Sequence, residues 1–533
     1  MNRRQGTMLA AILGSGIVFL DSTVVNVALQ RIGEDLPSHF FGALEGVTYV
    51  YNGYLLTLSA LLILAGALAD ARGRRLFFLV GLVGFGITST LCAIAPSLEA
   101  LVVFRLAQGA AGALLVPGSL AILTSSLEGE ELGRAFGLWA GASGATTILG
   151  PVVGGILVEE VSWRAVFLIN LPLIAVALWA TLRHVEESRD VQARSEFDWA
   201  GAALAALAVG GLSFGAIYGQ QHEWRDAVGP LALAIGAIAS VTFLVAMARG
   251  RHPLVPLALF RSRNFSVTNI STFLIYGALY VSTYEMAIYV QGTLGYTAAA
   301  AGFLSVPGSV LLILFSSRVG TLGARFGPRR FMAVGPALMA LGLLWLVRVP
   351  STSLAWVLRP GDPASWLPPT GYLVDFLPGI LGFGVGLAIM VAPLTTALMT
   401  SLPRENAGIA SAVNNAVSRV GPQLLGAVIF VLITASFYAG LASRVPGLDT
   451  SSAAVRQAVT PLYQPAASVG AAVVSAAREA STGAFHLAMA GSALLLLAGA
   501  IVNAVGIRDE VVLEASAADR HDEPGEEQAA PAM

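Results

Sequence analysis

Two residues of opposite charge lie inside stretches that are otherwise apolar and long enough to cross a membrane. Asp21 sits near the middle of an apolar run over about 7–29, and Arg105 sits in a run over about 99–124. A bare charge in hydrocarbon costs at least a few kcal/mol, so each should face a partner or a cavity. We expect the two to pair, with Asp21 as the main proton-carrying acid, because burial and a nearby arginine both act on its protonation. A static ion pair that only joins two helices is the alternative.

A second set of polar residues shares one face of a predicted helix. Tyr276, Tyr280 and Tyr284 follow Phe273 at spacings of 3, 7 and 11, and Glu285 is adjacent. Aromatic faces with one acid suit a flat, apolar and often cationic organic molecule, through stacking, cation–π contact and charge. A packing stripe, or tyrosines near the outer interface, is the alternative.

Arg419 lies about twelve residues inside another predicted helix, close to Asn414 and Asn415. An arginine at that depth must face protein or water. Its position is equally consistent with a structural and a functional role.

The composition is that of a polytopic membrane protein. Of 533 residues, 56% are hydrophobic and 12% are charged, whereas soluble domains carry about 25% charged residues. Apolar runs of spanning length cover about 8–30, 46–69, 76–95, 99–124, 134–157, 165–184, 199–218, 228–248, 266–291, 300–322, 331–349, 372–400, 407–439 and 483–507. This even number of spans places both termini on one side, and the arginine excess in the loops of that side makes it cytoplasmic. We expect a multi-pass protein of the cell membrane.

Several function classes lack their signatures. Cys92 is the single cysteine, which excludes an internal disulfide, and the six histidines show no ligand spacing, so we expect no metal and no cofactor. The sequence has no G-x-x-x-x-G-K-S/T loop, so it shows no nucleotide-binding motif of an ATP-driven transporter. The sequence has no cluster of catalytic polar residues at one membrane face, as a membrane enzyme would need. The first run is too long for a signal peptide and lacks a cleavage site, so we expect an uncleaved span.

An internal repeat divides the chain. Residues 66–75 read GALADARGRR and residues 320–330 read GTLGARFGPRR, and each segment joins one predicted span to the next. Transporters are commonly built from such repeats, with the substrate site between them. The predicted organisation is a six-helix bundle over 1–190, a linker over 191–258 with two extra helices peripheral to the cavity, a six-helix bundle over 259–507 with external loops at about 350–371 and 440–482, and a disordered acidic tail over 508–533.

The first repeat segment has the residues of a tight cytoplasmic turn. Gly66 and Gly73 permit close backbone approach, and Asp70 can accept hydrogen bonds from the start of a neighbouring helix. The arginines that anchor the loop on the cytoplasmic side are Arg72, Arg74 and Arg75. A charged loop that only tethers two helices is the alternative.

The segment 66–75 resembles the signature loop of the major facilitator superfamily, and the resemblance extends along nearly the whole chain. Its fourteen-helix drug:proton antiporter branch has similar motifs to LDSTVVNVAL at 20–29, RLAQGAAGA at 105–113, GPVVGG at 150–155, SWRAVFLINLP at 162–172, FDWAG at 197–201 and AGIASAVNNAVSRVG at 407–421. Three positions depart from the pattern, and the first is Tyr49, where the branch often has tryptophan, so details of the pocket are expected to differ. Thr146 stands where the antiporter motif usually has glycine, and Ala324 stands where the first repeat has Asp70, so we expect an acidic contact on one side only.

The resemblance implies an all-α major facilitator fold, with two six-helix bundles around a central cavity plus two extra helices. It implies that the helix with the antiporter motif, Gly150, Pro151, Gly154 and Gly155, meets the matching span of the second half and controls leak. Ordinary small-residue packing is the alternative. We expect Asp70 to contact the start of the thirteenth helix, around 406–408, as a gate. The residues expected around the substrate cavity are Asn26, Asn52, Tyr54, Gln108, Tyr276, Tyr280, Tyr284, Glu285, Asn415 and Arg419.

The function expected from these features is export of amphipathic, often cationic organic compounds by proton antiport. The same fold with a dedicated cargo, such as an antibiotic, siderophore or lipid, is the alternative, and a membrane enzyme or a non-transporting sensor or scaffold is a remote one. The expected partners are a small-molecule substrate, protons and the lipid bilayer, with no nucleic acid, and we expect a monomer.

Overall fold

The computed structural model describes residues 2–39, 43–127, 129–188, 198–222, 224, 226–250, 253–359, 361–403, 406–466 and 469–509. These ranges are helical and contain no strand. Their long helices are α1 Arg3–Asp35, α2 Ala43–Arg72, α3 Arg74–Ala93, α4 Leu98–Ser126, α5 Gly129–Glu160, α6 Asn170–His184, α7 Trp199–Gln221, α8 Val228–Arg249, α9 Arg263–Ile288, α10 Val306–Phe326, α11 Arg329–Leu346, α12 Leu377–Met399, α13 Ala407–Arg444 and α14 Ala471–Gly506. Shorter helical segments are Ala165–Leu168, Leu257–Arg261, Tyr289–Leu294, Ala298–Leu304, Pro363–Trp366, Tyr372–Phe376 and Ala453–Ala458.

The long helices correspond one for one to the predicted spans, so the predicted all-α membrane architecture is confirmed. Among the described residues, 13 helical segments are long and apolar enough to cross a membrane, and α5 is the remaining long helix. Lipid offers no hydrogen bonds to the backbone, so each apolar run satisfies its own N–H and C=O groups as a helix.

Local signals set several helix ends. Asn2 and Gln5 form a capping box at the start of α1, and Ser97 and Asp198 cap α4 and α7. Between α2 and α3 only Gly73 is non-helical, and its φ of 128° is a conformation that glycine adopts at little cost. The turn predicted at 66–75 is therefore a single residue long. We call the end of the molecule that carries this turn the inner end, and the opposite end the outer end.

The helices form two halves, α1–α6 and α9–α14, which meet along two seams. One seam joins α2 to α13 and the other joins α5 to α10. Glycines 133, 137 and 141 of α5 lie at intervals of four along the second seam. A Cβ at Gly137 would lie 2.5 Å from Ser317 Cα, and Gly133 packs against the Gly320 backbone. The absence of side chains at these glycines lets the two halves approach closely at the inner end.

The antiporter-motif glycines lie on the opposite face of α5. Gly150 and Gly154 pack against Thr23 and Val24 of α1, within the same half. Position 150 follows the last seam glycine by nine residues, which is two and a half helical turns, so it points away from the seam. The fifth helix thus meets the second half as expected, but through glycines other than those of the motif.

The extra helix pair lies outside the two bundles. α7 packs across α2 and α13, and α8 packs on α7. The pair is held by backbone approach, since a Cβ at Gly211 would lie 2.9 Å from Gly236 Cα. Only 17% of the most apolar stretch of α8 is buried, so this helix turns most of its surface outward.

The last two long helices extend further outward than predicted. α13 continues to Arg444 and α14 begins at Ala471, so the outer segment between them is shorter than 440–482. The Ala-rich sequence there favours helix beyond the apolar stretch. Val459 and Leu462 of that segment are buried, which ties it to the second half. The predicted acidic tail lies outside the described residues from position 510 onward.

Candidate functional site

Asp21 of α1 and Arg105 of α4 form an ion pair in the first half. Arg105 Nη1 lies 2.5 Å from Asp21 Oδ2, and both side chains are completely buried. The other carboxylate oxygen, Oδ1, accepts hydrogen bonds from Gln108 Nε2 at 3.1 Å and from Asn170 Nδ2 at 2.9 Å. The contact expected from the sequence is therefore present, within a network that also includes α6.

Arg105, like Asp21, is held in place by contacts with neighbouring helices. Arg105 Nε donates to the Val50 carbonyl at 3.2 Å, and its guanidinium lies 4.1 Å from the centre of the Tyr54 ring. Ser89 Oγ of α3 accepts hydrogen bonds from the amides of Gln108 and Asn170, at 3.0 and 2.9 Å. Residues of five helices in the first half thus orient one carboxylate.

The geometry separates the two oxygens of Asp21 chemically. Oδ1 is held by the neutral amides of Gln108 and Asn170, and Gln108 Oε1 in turn accepts a hydrogen bond from Arg105 Nη1 at 2.7 Å. Oδ2 accepts a hydrogen bond from Arg105, so a proton could bind there once the guanidinium withdraws. Arg105 Nη2 has no hydrogen-bond partner among the described residues, which leaves it a donor for an alternative arrangement.

A cavity lies between the halves, next to this network. It is lined by Phe19, Leu120, Trp139, Tyr276, Tyr280, Leu394, Thr395, Leu398, Asn414, Asn415, Ser418 and Arg419. Its volume of about 50 Å³ is well below the roughly 300 Å³ of the smallest pockets for drug-sized ligands. A drug-sized molecule would therefore enter only after the halves move apart.

Four of the residues expected at the cavity line it. They are Tyr276, Tyr280, Asn415 and Arg419. The Arg419 guanidinium lies 5.7 Å from the centre of the Phe19 ring of the other half. No ion pair joins Arg419 to a described residue.

Two expected residues lie further out on α9 and do not line the cavity. Tyr284 is 61% exposed and hydrogen-bonds Tyr463 of the outer segment. It also lies close enough to Tyr51 of the first half to interact electrostatically, so it faces the opening between the halves. Glu285 is buried, and it forms no hydrogen bond or ion pair with another described residue.

Four further residues also lie off the cavity lining. Tyr54 and Gln108 are completely buried and belong to the Asp21 network, because Gln108 donates to Asp21 and the Tyr54 ring lies against Arg105. The Tyr54 hydroxyl donates to the Val18 carbonyl at 3.0 Å. Asn26 is exposed on the outer part of α1, and Asn52 is half-buried in α2. The physical reason for Tyr54 and Gln108 is the rotation of their helices about the helix axis. Each helix turns this polar face into its own bundle, so the same face cannot line the cavity.

The inner end of the α2–α13 seam is closed by Asp70. Its Oδ2 accepts a hydrogen bond from the Ile409 backbone N–H at 2.9 Å, and its Oδ1 accepts one from Arg74 Nε at 2.8 Å. Ile409 lies three residues after the cap residue Asn406, so the donor is one of the unpaired N–H groups of a helix start. The contact lies one residue beyond the predicted range. Gly66 is buried one turn earlier in α2.

The turn itself is held from within the first half. Glu187 accepts hydrogen bonds from the backbone N–H groups of Arg75 and Leu76, at 3.0 and 3.1 Å. The Arg72 guanidinium lies 5.8 Å from the centre of the Trp199 ring, at the start of α7. The loop arginines therefore contact neighbouring elements as well as facing the inner side.

The second repeat lacks the acid but keeps the capped turn. Ala324 is buried against α5 near Gly133, and Gly327 forms the turn with φ of 85°. Asp509 accepts a hydrogen bond from the Arg329 N–H at 2.9 Å, as Glu187 does in the first repeat. In the antiporter motif, Gly155 has open space beside it, and the side chain of Pro151 lies outside the described part.

Sequence reasoning missed several residues of the site. Ser89 and Asn170 complete the Asp21 network, and Phe19 and Trp139 form the aromatic wall of the cavity in the first half. The available signals were a polar amide in the apolar run 165–184 and an aromatic residue two positions before Asp21.

Comparisons with known proteins agree with this architecture. A family model described as Major Facilitator Superfamily matches residues 11–427. Multidrug resistance protein Stp of Mycobacterium tuberculosis is 33% identical over 84% of this chain and 80% of that protein. The tetracenomycin C resistance and export protein of Streptomyces glaucescens is 34% identical over 80% of this chain and 75% of that protein. The solved structure of the proton:xylose symporter XylE shares the fold, with a TM-score of 0.59 at 14% identity over 93% of this chain and 94% of that chain.

Proposed function

Because the chain belongs to the major facilitator superfamily, we propose that it is a secondary active exporter of amphipathic organic compounds, driven by proton entry. The observation that carries this proposal is Asp21, a completely buried acid that lies two residues from the cavity-lining Phe19. Two relatives are named for multidrug resistance and for export of tetracenomycin C, which supports a drug-like cargo.

The Asp21 network supplies the coupling. With Arg105 in contact, Asp21 is held as a carboxylate. When α1 and α4 shift as the cavity changes sides, the guanidinium withdraws and Oδ2 takes up a proton, because a buried carboxylate without a counter-charge is costly. Return of Arg105 displaces the proton to the other side. Gln108 and Asn170 keep the acid in position through both steps.

The inner gate supplies alternating access. The hydrogen bond from Ile409 to Asp70 crosses between the halves, as does the close packing of α5 on α10. Both contacts are made in this conformation, so the cavity is closed towards the inner end. The positive-inside rule makes that end cytoplasmic, with both termini in the cytoplasm and the chain in the cell membrane. A monomer has the complete site.

Replacement of Asp21 tests this function. In everted membrane vesicles energised to an acidic interior, Asp21→Asn should abolish proton-driven uptake of an amphipathic dye that the parent protein transports, with normal membrane abundance. Asp226→Asn, which alters an exposed carboxylate between α7 and α8, is the matched control and should retain uptake. Full uptake by Asp21→Asn, or loss of the protein from the membrane, would overturn the proton-carrier role. A susceptibility panel on a deletion strain separates a multidrug exporter, which affects many compounds, from an exporter of one dedicated cargo.

A further inference from the structure

The charge that faces the central cavity comes from one residue. Among the residues that line it, Arg419 alone is charged, and the others are apolar, aromatic, amide or hydroxyl side chains. No acid of the described chain lines the cavity; Glu285 lies further out on α9, and two other nearby acids are bonded elsewhere. Asp21 is paired with Arg105, and Asp70 is bonded to Arg74 and Ile409 at the inner gate. The cavity therefore presents a net positive charge to its contents.

Arg419 has a guanidinium that is available to bind a ligand in the cavity. It lies about 18 Å from the start of α13, at 1.5 Å per residue, which is deep in the membrane-spanning part. Its guanidinium forms no hydrogen bond or ion pair with a described residue, and it lies 5.7 Å from the centre of the Phe19 ring. A guanidinium carries five N–H donors, and an arginine at this depth is costly unless something satisfies it.

The cavity walls suit a flat ring beside that charge. Phe19 and Trp139 of the first half contact each other with ring centres 6.1 Å apart, and Tyr276 and Tyr280 of the second half do so at 6.4 Å. A planar molecule between these two pairs would have aromatic surface on both sides. Of the residues that favoured a cation in the sequence, Tyr276 and Tyr280 line the cavity, whereas Tyr284 and the acid, Glu285, lie outside this lining.

We propose that the cavity selects amphipathic aromatic anions, with the carboxylate, phenolate or sulfonate of the substrate bonded to Arg419 and its ring held between the aromatic pairs of the two halves. This proposal rests on the exporter function proposed above and names its substrate class. Arg419 is then the specificity-determining residue, because an anion supplies the counter-charge that the described protein lacks, whereas a cation would be repelled.

Three ligands with one ring system test the charge preference. Naphthalene-2-sulfonate is an anion, naphthalene-2-sulfonamide is neutral, and 2-naphthyltrimethylammonium is a cation. Binding to the full chain in lipid nanodiscs is measured by calorimetry at pH 7, with empty nanodiscs subtracted. We expect the sulfonate to bind at least about tenfold more tightly than the other two, because hydrogen bonds to charged groups contribute about 1.5–3 kcal/mol.

Variants of Arg419 test the residue. Arg419→Gln should weaken sulfonate binding about tenfold or more and leave the sulfonamide within about twofold, while Arg419→Lys keeps the anion preference. Arg444→Gln removes an arginine from the outer end of the same helix, outside the cavity, and should leave all three affinities unchanged. Equal weakening of all three ligands by Arg419→Gln would overturn the proposal. If Arg419→Gln does not fold, the proposal is tested by the order of the three ligand affinities in the wild-type protein and in Arg419→Lys.

Transport of the same ligands separates this proposal from the exporter function. Proton-driven uptake into proteoliposomes is measured for each ligand by mass spectrometry. Preferred uptake of the sulfonate supports both proposals. Proton-driven uptake of the sulfonamide or the cation, with no preference for the sulfonate, overturns the anion proposal and leaves the exporter function intact. Absence of proton-driven uptake of all three, together with uptake of other dyes that is unaffected by Asp21→Asn, overturns both.

Discussion

Replacement of Asp70 by asparagine should shift the balance between the inward-closed and inward-open states. Of its two described hydrogen bonds, the one from Arg74 lies within the first half, between α2 and α3, so separation of the halves need not change it. The one from Ile409 crosses to α13, so we expect it to break when the halves separate at the inner end. The Asp70→Asn variant keeps an acceptor oxygen but loses the charge that complements the helix start.

The magnitude follows from that single contact. A hydrogen bond to a charged group contributes about 1.5–3 kcal/mol and a neutral one about 0.5–1.5 kcal/mol. Loss of the charge should therefore cost the closed state about 1.4 kcal/mol, which is a tenfold shift towards the open state. Because Asp70 is 4% exposed, solvent should screen this contact weakly.

Single-molecule energy transfer can measure the shift. Cysteines replace the exposed Ser126 at the inner end of α4 and the exposed Arg325 at the inner end of α10, in a Cys92→Ser background, and dyes report the distance between halves. The matched control is Glu187→Gln, whose lost charge also caps backbone N–H groups but only within the first half. Equal populations in Asp70→Asn and the parent, or an equal shift in Glu187→Gln, would refute the gate.

Two further substitutions probe the coupling network and the second seam. Asn170→Ala removes a neutral donor from Asp21, so proton-driven uptake into everted vesicles should fall about tenfold, because a hydrogen bond to a charged group contributes about 1.5–3 kcal/mol. Asn503→Ala removes an equally buried amide that donates to the Met332 carbonyl in the second half, and an equal loss of uptake there would contradict the role of Asn170. Gly137→Ala puts a methyl group against the Ser317 backbone at the α5–α10 seam, so it should lower the stability of the closed state by about 1–3 kcal/mol, measured as a shift of the same distance distribution. Gly155→Ala adds a methyl group where there is open space, and a comparable shift in that variant would show that the effect is not specific to the seam.

Much of the architecture follows from the sequence because lipid leaves the chain few choices. An apolar run of spanning length must become a helix to satisfy its own backbone, so the number of helices could be predicted before the structure. The contacts of Asp21 with Arg105 and of Asp70 with the start of α13 were predictable for a related reason. A charge in or near hydrocarbon is costly without a charged or hydrogen-bonding partner, and the chain offers few partners for these two acids.

Only the tertiary structure decided which way each polar face turns. Helical spacing groups residues on one side of a helix, but the rotation of that helix depends on packing against all its neighbours. Tyr54 and Gln108 therefore point into the first half, while Arg419 points into the cavity. The rotation of α5 likewise places the antiporter-motif glycines against α1 and the seam glycines 133, 137 and 141 against α10. Asn170 joins the Asp21 network because packing brings α6 beside α1 and α3 across a long separation in sequence, which no local pattern encodes.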